Sequence, residues 1–218
     1  DSGSKPVAKS GTSCESCHGA SSDWLAIHDN YGGKDVKREQ EAADHKSKRV
    51  ADSTAAGLIW PTMKYEVAEN CMTCHGLAHP GLKADDLAKM LGAGHPINPG
   101  FELVKYSQGS VRHRHYPPDI KTNAEMTPQE LAQIYLVGQA AALVSATEVI
   151  SKSSEAKYKE AQSKRVEIAK SALGGVSEAA GLLAAPTREN AIKFVQSIAG
   201  KDLTSAVGSK LPAKSDYK

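Results

Sequence analysis

One five-residue pattern occurs twice in this chain, as Cys14-Glu15-Ser16-Cys17-His18 and as Cys71-Met72-Thr73-Cys74-His75. C-x-x-C-H is the attachment signature of a c-type haem. Two thiols three positions apart reach the vinyl groups on one porphyrin edge and become thioethers, and the next residue brings an imidazole to the iron. The two copies use all four cysteines of the chain. Three other chemistries fit paired cysteines: a zinc site with four thiolates, a disulfide in each pair and a dithiol redox motif. The stretch from Cys17 to Cys71 is long for a zinc ribbon, and none of the three gives a reason for His-Gly after both pairs. The expectation is two covalently bound haems c, held by Cys14, Cys17, Cys71 and Cys74, with His18 and His75 as iron ligands.

Composition is consistent with a chain organised by cofactors. Hydrophobic residues make up 40%, enough for a core, but aromatics are only 5%. Two porphyrins would supply the missing apolar volume. A formal charge of +2 gives no argument for a nucleic-acid or membrane-surface partner. No apolar run suggests the roughly 20 residues of a membrane span. The polar start Asp1-Ser2-Gly3-Ser4 reads as a mature chain whose export signal has been removed. Haem c is attached outside the cytoplasm, so the expected location is the periplasm.

Local signals predict a mainly α chain in two parts. Residues 1–13 read as a flexible lead-in, and Trp24–His28 as a short helix ended by Gly32-Gly33. The charge-dense stretch 34–50 reads as solvated, with His45 a surface residue, and Asp52-Ser53-Thr54 as the cap of a short helix. Tyr65–Asn70 reads as a helix running into Cys71, and 83–91 as another. Pro117-Pro118 closes the region. The expected division is an irregular, partly helical haem domain over 1–120 and an antiparallel helical region over 121–218. Thr127-Pro128-Gln129-Glu130 is a strong helix start with a capping box. Leu131, Ile134, Tyr135, Gly138, Ala142 and Val149 then follow at helical spacing. Residues 154–173 and a helix after Pro186-Thr187 complete three or four helices, with 201–218 frayed. Their apolar stripes are expected to pack within the chain first, and in a homodimer second.

The sixth iron positions draw on six further histidines: His28, His45, His79, His95, His113 and His115. His79, four residues after His75 and followed by Pro80, is badly placed to reach the opposite face of its own porphyrin. His28 leaves the first motif and could reach a neighbouring haem. His95 follows a glycine-rich turn that lets the backbone fold over a flat cofactor. His113 lies between Arg112 and Arg114, whose guanidiniums suit haem propionates or plain surface charge. Met63, Met90 and Met126 are alternative ligands that would raise the potential.

Several stretches resemble the multihaem c-type cytochromes related to the tetrahaem electron acceptor of hydroxylamine oxidoreductase. They are Cys14–Gly19 with Trp24, His28 and Tyr31-Gly32-Gly33; Tyr65–His75; Gly94-His95; and Phe101–His113. The resemblance covers residues 11–118 and implies electron transfer through bis-histidine irons in close-packed haem pairs. It favours His95 and His113 as distal ligands, with His28 third. Such relatives often carry three or four haems, whereas this chain codes for two. The helical C-terminal half lies outside the resemblance.

The function expected is therefore a dihaem c-type cytochrome that passes electrons between periplasmic donor and acceptor proteins, with no catalytic residue of its own. The rival is a haem enzyme with one open iron, acting on a small nitrogen or sulfur oxide or on peroxide, with a pocket furnished by Arg112, His113, Arg114, His115 and Tyr116. A ligand or redox sensor is the third reading.

Overall fold

Helix-forming sequence dominates the computed structural model, which describes residues 13–218. The expected lead-in therefore lies, Ser13 apart, outside the described residues. In chain order the α-helices are α1 (Glu15–His18), α2 (Ala43–Ala55), α3 (Lys64–His75), α4 (Ala84–Gly92), α5 (Leu103–Ser107), α6 (Pro128–Lys152), α7 (Ala156–Leu173), α8 (Ala180–Ala184), α9 (Arg188–Ser197) and α10 (Thr204–Val207). Among the described residues there is no strand, only an isolated bridge between Tyr116 and Asp119. The fold is mainly α, as the sequence predicts.

The chain divides into two units, Asp1–Met63 and Lys64–Lys218. The sequence reading set its boundary after residue 120. The structure divides earlier because Tyr65, Ala68 and Met72 of α3 share one apolar core with Leu136, Ala140 and Leu143 of α6. The second cysteine pair thus belongs to the same unit as the long C-terminal helices.

The first unit has little core of its own. Among its described residues only Trp24 and Leu58 are buried apolar side chains. Residues 24–28 form successive turns rather than the expected α-helix, with bonds of both spacings: Ile27 N–H to Trp24 O (2.9 Å) and His28 N–H to Trp24 O (3.0 Å). So short a segment between glycines does not propagate a helix. Helix α2 runs straight through Asp52-Ser53-Thr54 instead of starting there. The Thr54 hydroxyl donates to Val50 O at 2.7 Å, so a residue suited to capping bonds back into the helix. Nor is the charged stretch 34–50 wholly solvated. Arg49 is buried, and its guanidinium donates two bonds to the Glu41 carboxylate, each 2.7 Å.

The second unit is built on α6. Thr127 Oγ1 accepts from Glu130 N–H (3.2 Å), and Thr127 N–H donates to the Glu130 carboxylate (2.8 Å), with Pro128 first in the helix. This is the capping box read from the sequence. By length and composition α6 is apolar enough to cross a membrane. Yet 72% of its apolar window is buried inside the fold, so the stripe that suggested a homodimer packs within the chain. At Gly138 the close neighbour is Leu103. Helix α7 follows after a three-residue connection and packs back on α6; Asp85 at the start of α4 accepts from Ser153 Oγ (2.8 Å) and Ser154 N–H (3.0 Å) in that connection.

Residues 201–218 are not frayed. Leu203 and Val207 are buried in the main core. Lys218 N–H donates to Lys105 O (2.9 Å), and Lys218 O accepts from Ser110 N–H (2.8 Å). Main-chain pairing and a few apolar anchors hold a segment whose composition looks like a loose end.

Candidate functional site

Each motif lies on a helix, and helical spacing puts its two cysteines on one face. Cys14 is the cap of α1 and Cys17 lies within it; Cys71 and Cys74 lie in the last two turns of α3. Cys14 and Cys74 are exposed, Cys17 and Cys71 half-buried, and none of the four is in a disulfide. Among the described residues no three His, Cys, Asp or Glu side chains are grouped to hold a bare metal ion.

In the first unit the histidine of the motif is held twice by one residue. His18 O accepts from Ile59 N–H at 3.0 Å, and His18 Nδ1 lies 2.7 Å from Ile59 O. A carbonyl only accepts, so a ring proton sits on Nδ1. That is the usual arrangement of a metal-ligating histidine, whose second nitrogen donates to a carbonyl or carboxylate. Gly19 closes α1 with φ +82°, and a Cβ there would lie 2.5 Å from Gly57 O. The Glu15 carboxylate accepts from Ser21 N–H and Ser21 Oγ, each at 2.7 Å, which lowers its pKa.

Nearby, Trp24 packs edge-on against His28, with 5.1 Å between ring centroids. Its buried indole N–H has no hydrogen-bond partner among the described residues. His28 Nδ1 donates to Leu25 O at 2.8 Å. Arg49 donates to His28 O and stacks over Tyr31, 5.0 Å from its ring centroid. Hydrogen bonding from Arg49 lowers the Glu41 pKa to about 2. Glu41 also bonds His45 Nδ1 at 2.8 Å, which ties His45 into this ion-pair group.

In the second unit His75 ends α3 with its ring flat on Phe101, centroids 4.0 Å apart and planes at 10°. Tyr106 flanks both rings. The residue keeps an exposed side, but the apolar contact lowers its pKa by desolvation, favouring the neutral imidazole that binds metals. The turn after His75 is fixed by α7. Gly76 O accepts from Gln162 Nε2 (2.9 Å) and Arg165 Nη1 (3.0 Å), and Tyr158 OH donates to Leu77 O. Arg165 Nη2 also reaches Met72 Sδ (3.1 Å) and Ser145 Oγ (2.9 Å). A Cβ on Gly76 would lie 2.5 Å from that nitrogen. Burial pushes the Arg165 pKa down to about 10. The glycines after the two motifs therefore answer to different demands, a left-handed turn at Gly19 and the close approach of an arginine at Gly76.

The other expected ligands lie in this unit's loops. His95 Nδ1 donates to Pro96 O (2.8 Å) and His113 Nδ1 to Val111 O (2.9 Å); both residues are exposed. His18, His28, His95 and His113 thus share one feature, a proton on Nδ1 directed at a main-chain carbonyl. His79 differs, because its Nδ1 accepts from Gly81 N–H at 3.1 Å. Arg112 and Arg114 have protein carboxylates beside them, Glu125 at 3.6 Å and Glu130 at 2.9 Å, and among the described residues the buried Nε of each lacks a hydrogen-bond partner.

Sequence reasoning missed Ile59, Arg49, Tyr158, Gln162 and Arg165. No local pattern marks them; each acts through a main-chain carbonyl or a remote element.

The donor set fits haem c. Paired thiols share a helix face with the imidazole adjacent, the described residues of the first unit bury few apolar groups, and the unpaired Trp24 indole N–H suits a cofactor that brings both an apolar body and carboxylate acceptors. Compared with protein-family models, curated proteins and solved structures, the chain matches none.

Proposed function

We propose that this chain is a dihaem c-type cytochrome that carries electrons between periplasmic donor and acceptor proteins, of the multihaem kind its motifs resemble. When bound, the two haems supply one-electron chemistry at iron. The chain's residues do the rest. Cys14 and Cys17 hold one haem and Cys71 and Cys74 the other, with His18 and His75 as proximal ligands. The observation that carries the proposal is the His18 clamp: in a unit whose described residues include two buried apolar side chains, the Ile59 carbonyl takes the Nδ1 proton of the ring, the tautomer that suits iron binding through Nε2.

A carrier needs irons closed to substrates. His28, His95 and His113 all have their Nδ1 proton committed to a carbonyl, so donors of the right tautomer suffice for both sixth positions. Arg112 and Arg114, which a catalytic pocket would need to aim at substrate, stand beside carboxylates instead. These features favour the carrier over the enzyme.

The test uses the protein matured in a host that attaches haem c. Mass spectrometry should find one haem on each motif, and the ferric absorption spectrum should be wholly low-spin, unchanged by carbon monoxide after reduction. Peptides of bare mass would overturn the cofactor assignment. Two haems with a high-spin or carbon monoxide-binding component would move the function to the enzyme or sensor.

A further inference from the structure

Each unit buries one arginine close to its motif, and the two differ in charge balance. In the first unit Arg49 is cancelled by Glu41, at 2.7 Å through two parallel bonds. That pair lies beside the segment that clamps His18, since Arg49 also faces Trp60, next to Ile59. In the second unit Arg165 is 2% exposed. Its partners are Gly76 O, Gln162 Oε1, Met72 Sδ and Ser145 Oγ, all neutral. Among the described residues it has no carboxylate. Two of those partners, Met72 and Gly76, lie within the second motif and directly after it.

We propose that Arg165 is an uncompensated buried charge that raises the reduction potential of the Cys71–Cys74–His75 site above that of the Cys14–Cys17–His18 site, so that the electron of the singly reduced protein resides in the second unit. The inference rests on the two-haem reading. Reduction adds one electron, given up by the donor protein, and breaks no bond. It lowers the charge of the site by one unit, which a nearby cation favours and a cancelled ion pair does not. As a scale, a unit charge at about 10 Å in a medium of effective dielectric ~20 changes the ratio of reduced to oxidised forms by about tenfold, or about 59 mV for one electron.

Full-length matured protein is titrated with redox mediators while haem absorbance is followed, after the haem count has been measured. Arg165→Gln should lower one of the two potentials by about tenfold in that ratio and leave the other. Arg165→Lys keeps the charge and should leave both near wild type. Glu41→Gln leaves Arg49 uncancelled and should raise the potential that Arg165→Gln does not move. The inference is overturned if two-haem Arg165→Gln protein keeps both wild-type potentials, if Arg165→Lys shifts as far as Arg165→Gln, or if Glu41→Gln moves the same potential. Should Arg165→Gln fail to fold, the lysine variant and Glu41→Gln decide the matter, the former by shifting or not, the latter by moving the lower potential or neither. A wild-type protein without two haems would overturn the underlying reading itself.

Discussion

Replacing Phe101 tests how the second motif is held. The ring is 6% exposed and stacks on His75 at 4.0 Å. Truncation of a buried Phe to Ala costs about 3–5 kcal/mol through lost transfer energy and the cavity left behind. The aromatic pair accounts for about 0.5–1.5 kcal/mol of that. Phe101→Leu keeps most of the volume and should cost about 1–1.5 kcal/mol, chiefly the lost stack. With a urea slope of about 2 kcal/mol/M, a 4 kcal/mol loss lowers the unfolding midpoint by about 2 M. The assay is urea unfolding of the matured protein, followed by helical circular dichroism and by the absorbance of the proposed haems. Phe101→Ala should shift both traces well below Phe101→Leu. An alanine variant within about 1 kcal/mol of wild type would refute the argument, because His75 would then be held by something other than this stack.

Three further outcomes follow from the same geometry. Tyr158→Phe removes the donor to the buried Leu77 carbonyl and should destabilise the second unit by about 1–3 kcal/mol, measured by chemical unfolding. Gly109→Ala puts a Cβ 1.7 Å from Lys218 O; the two main-chain bonds of Lys218 should break, at about 0.5–1.5 kcal/mol each, and limited proteolysis should then cleave residues 211–218 faster than in wild type. The Glu41 pKa is about 2 in the folded chain against an ordinary 4.5, so the unfolded state binds the proton more readily between those values. Stability from Glu41 is complete above pH 4.5 and is lost as pH falls toward 2; in an acid titration Glu41→Gln should remove that part of the pH dependence, and an unchanged profile would count against the ion pair.

The sequence by itself determined the mainly α class and the strongest local signals. The doubled C-x-x-C-H carries the proposed cofactor assignment by itself, because thioether spacing is a covalent matter that needs no fold. Thr127-Pro128-Gln129-Glu130 starts α6 because a capping box is satisfied within one turn. Tertiary structure decided what depends on distant partners. The unit boundary moved to Met63–Lys64 because α3 buries its apolar side on α6. The charged stretch holds a buried pair because Arg49 reaches back eight residues to Glu41 and further to His28. Residues 201–218 are ordered because α5 and the main core offer them partners. Arg165 lies 89 residues beyond Gly76, and its spacing on α7 does not announce that it will close the turn after His75. Covalent and one-turn interactions are written in neighbouring residues; hydrogen bonds to a remote carbonyl, and the tautomer they impose on a histidine, exist only once the chain has folded.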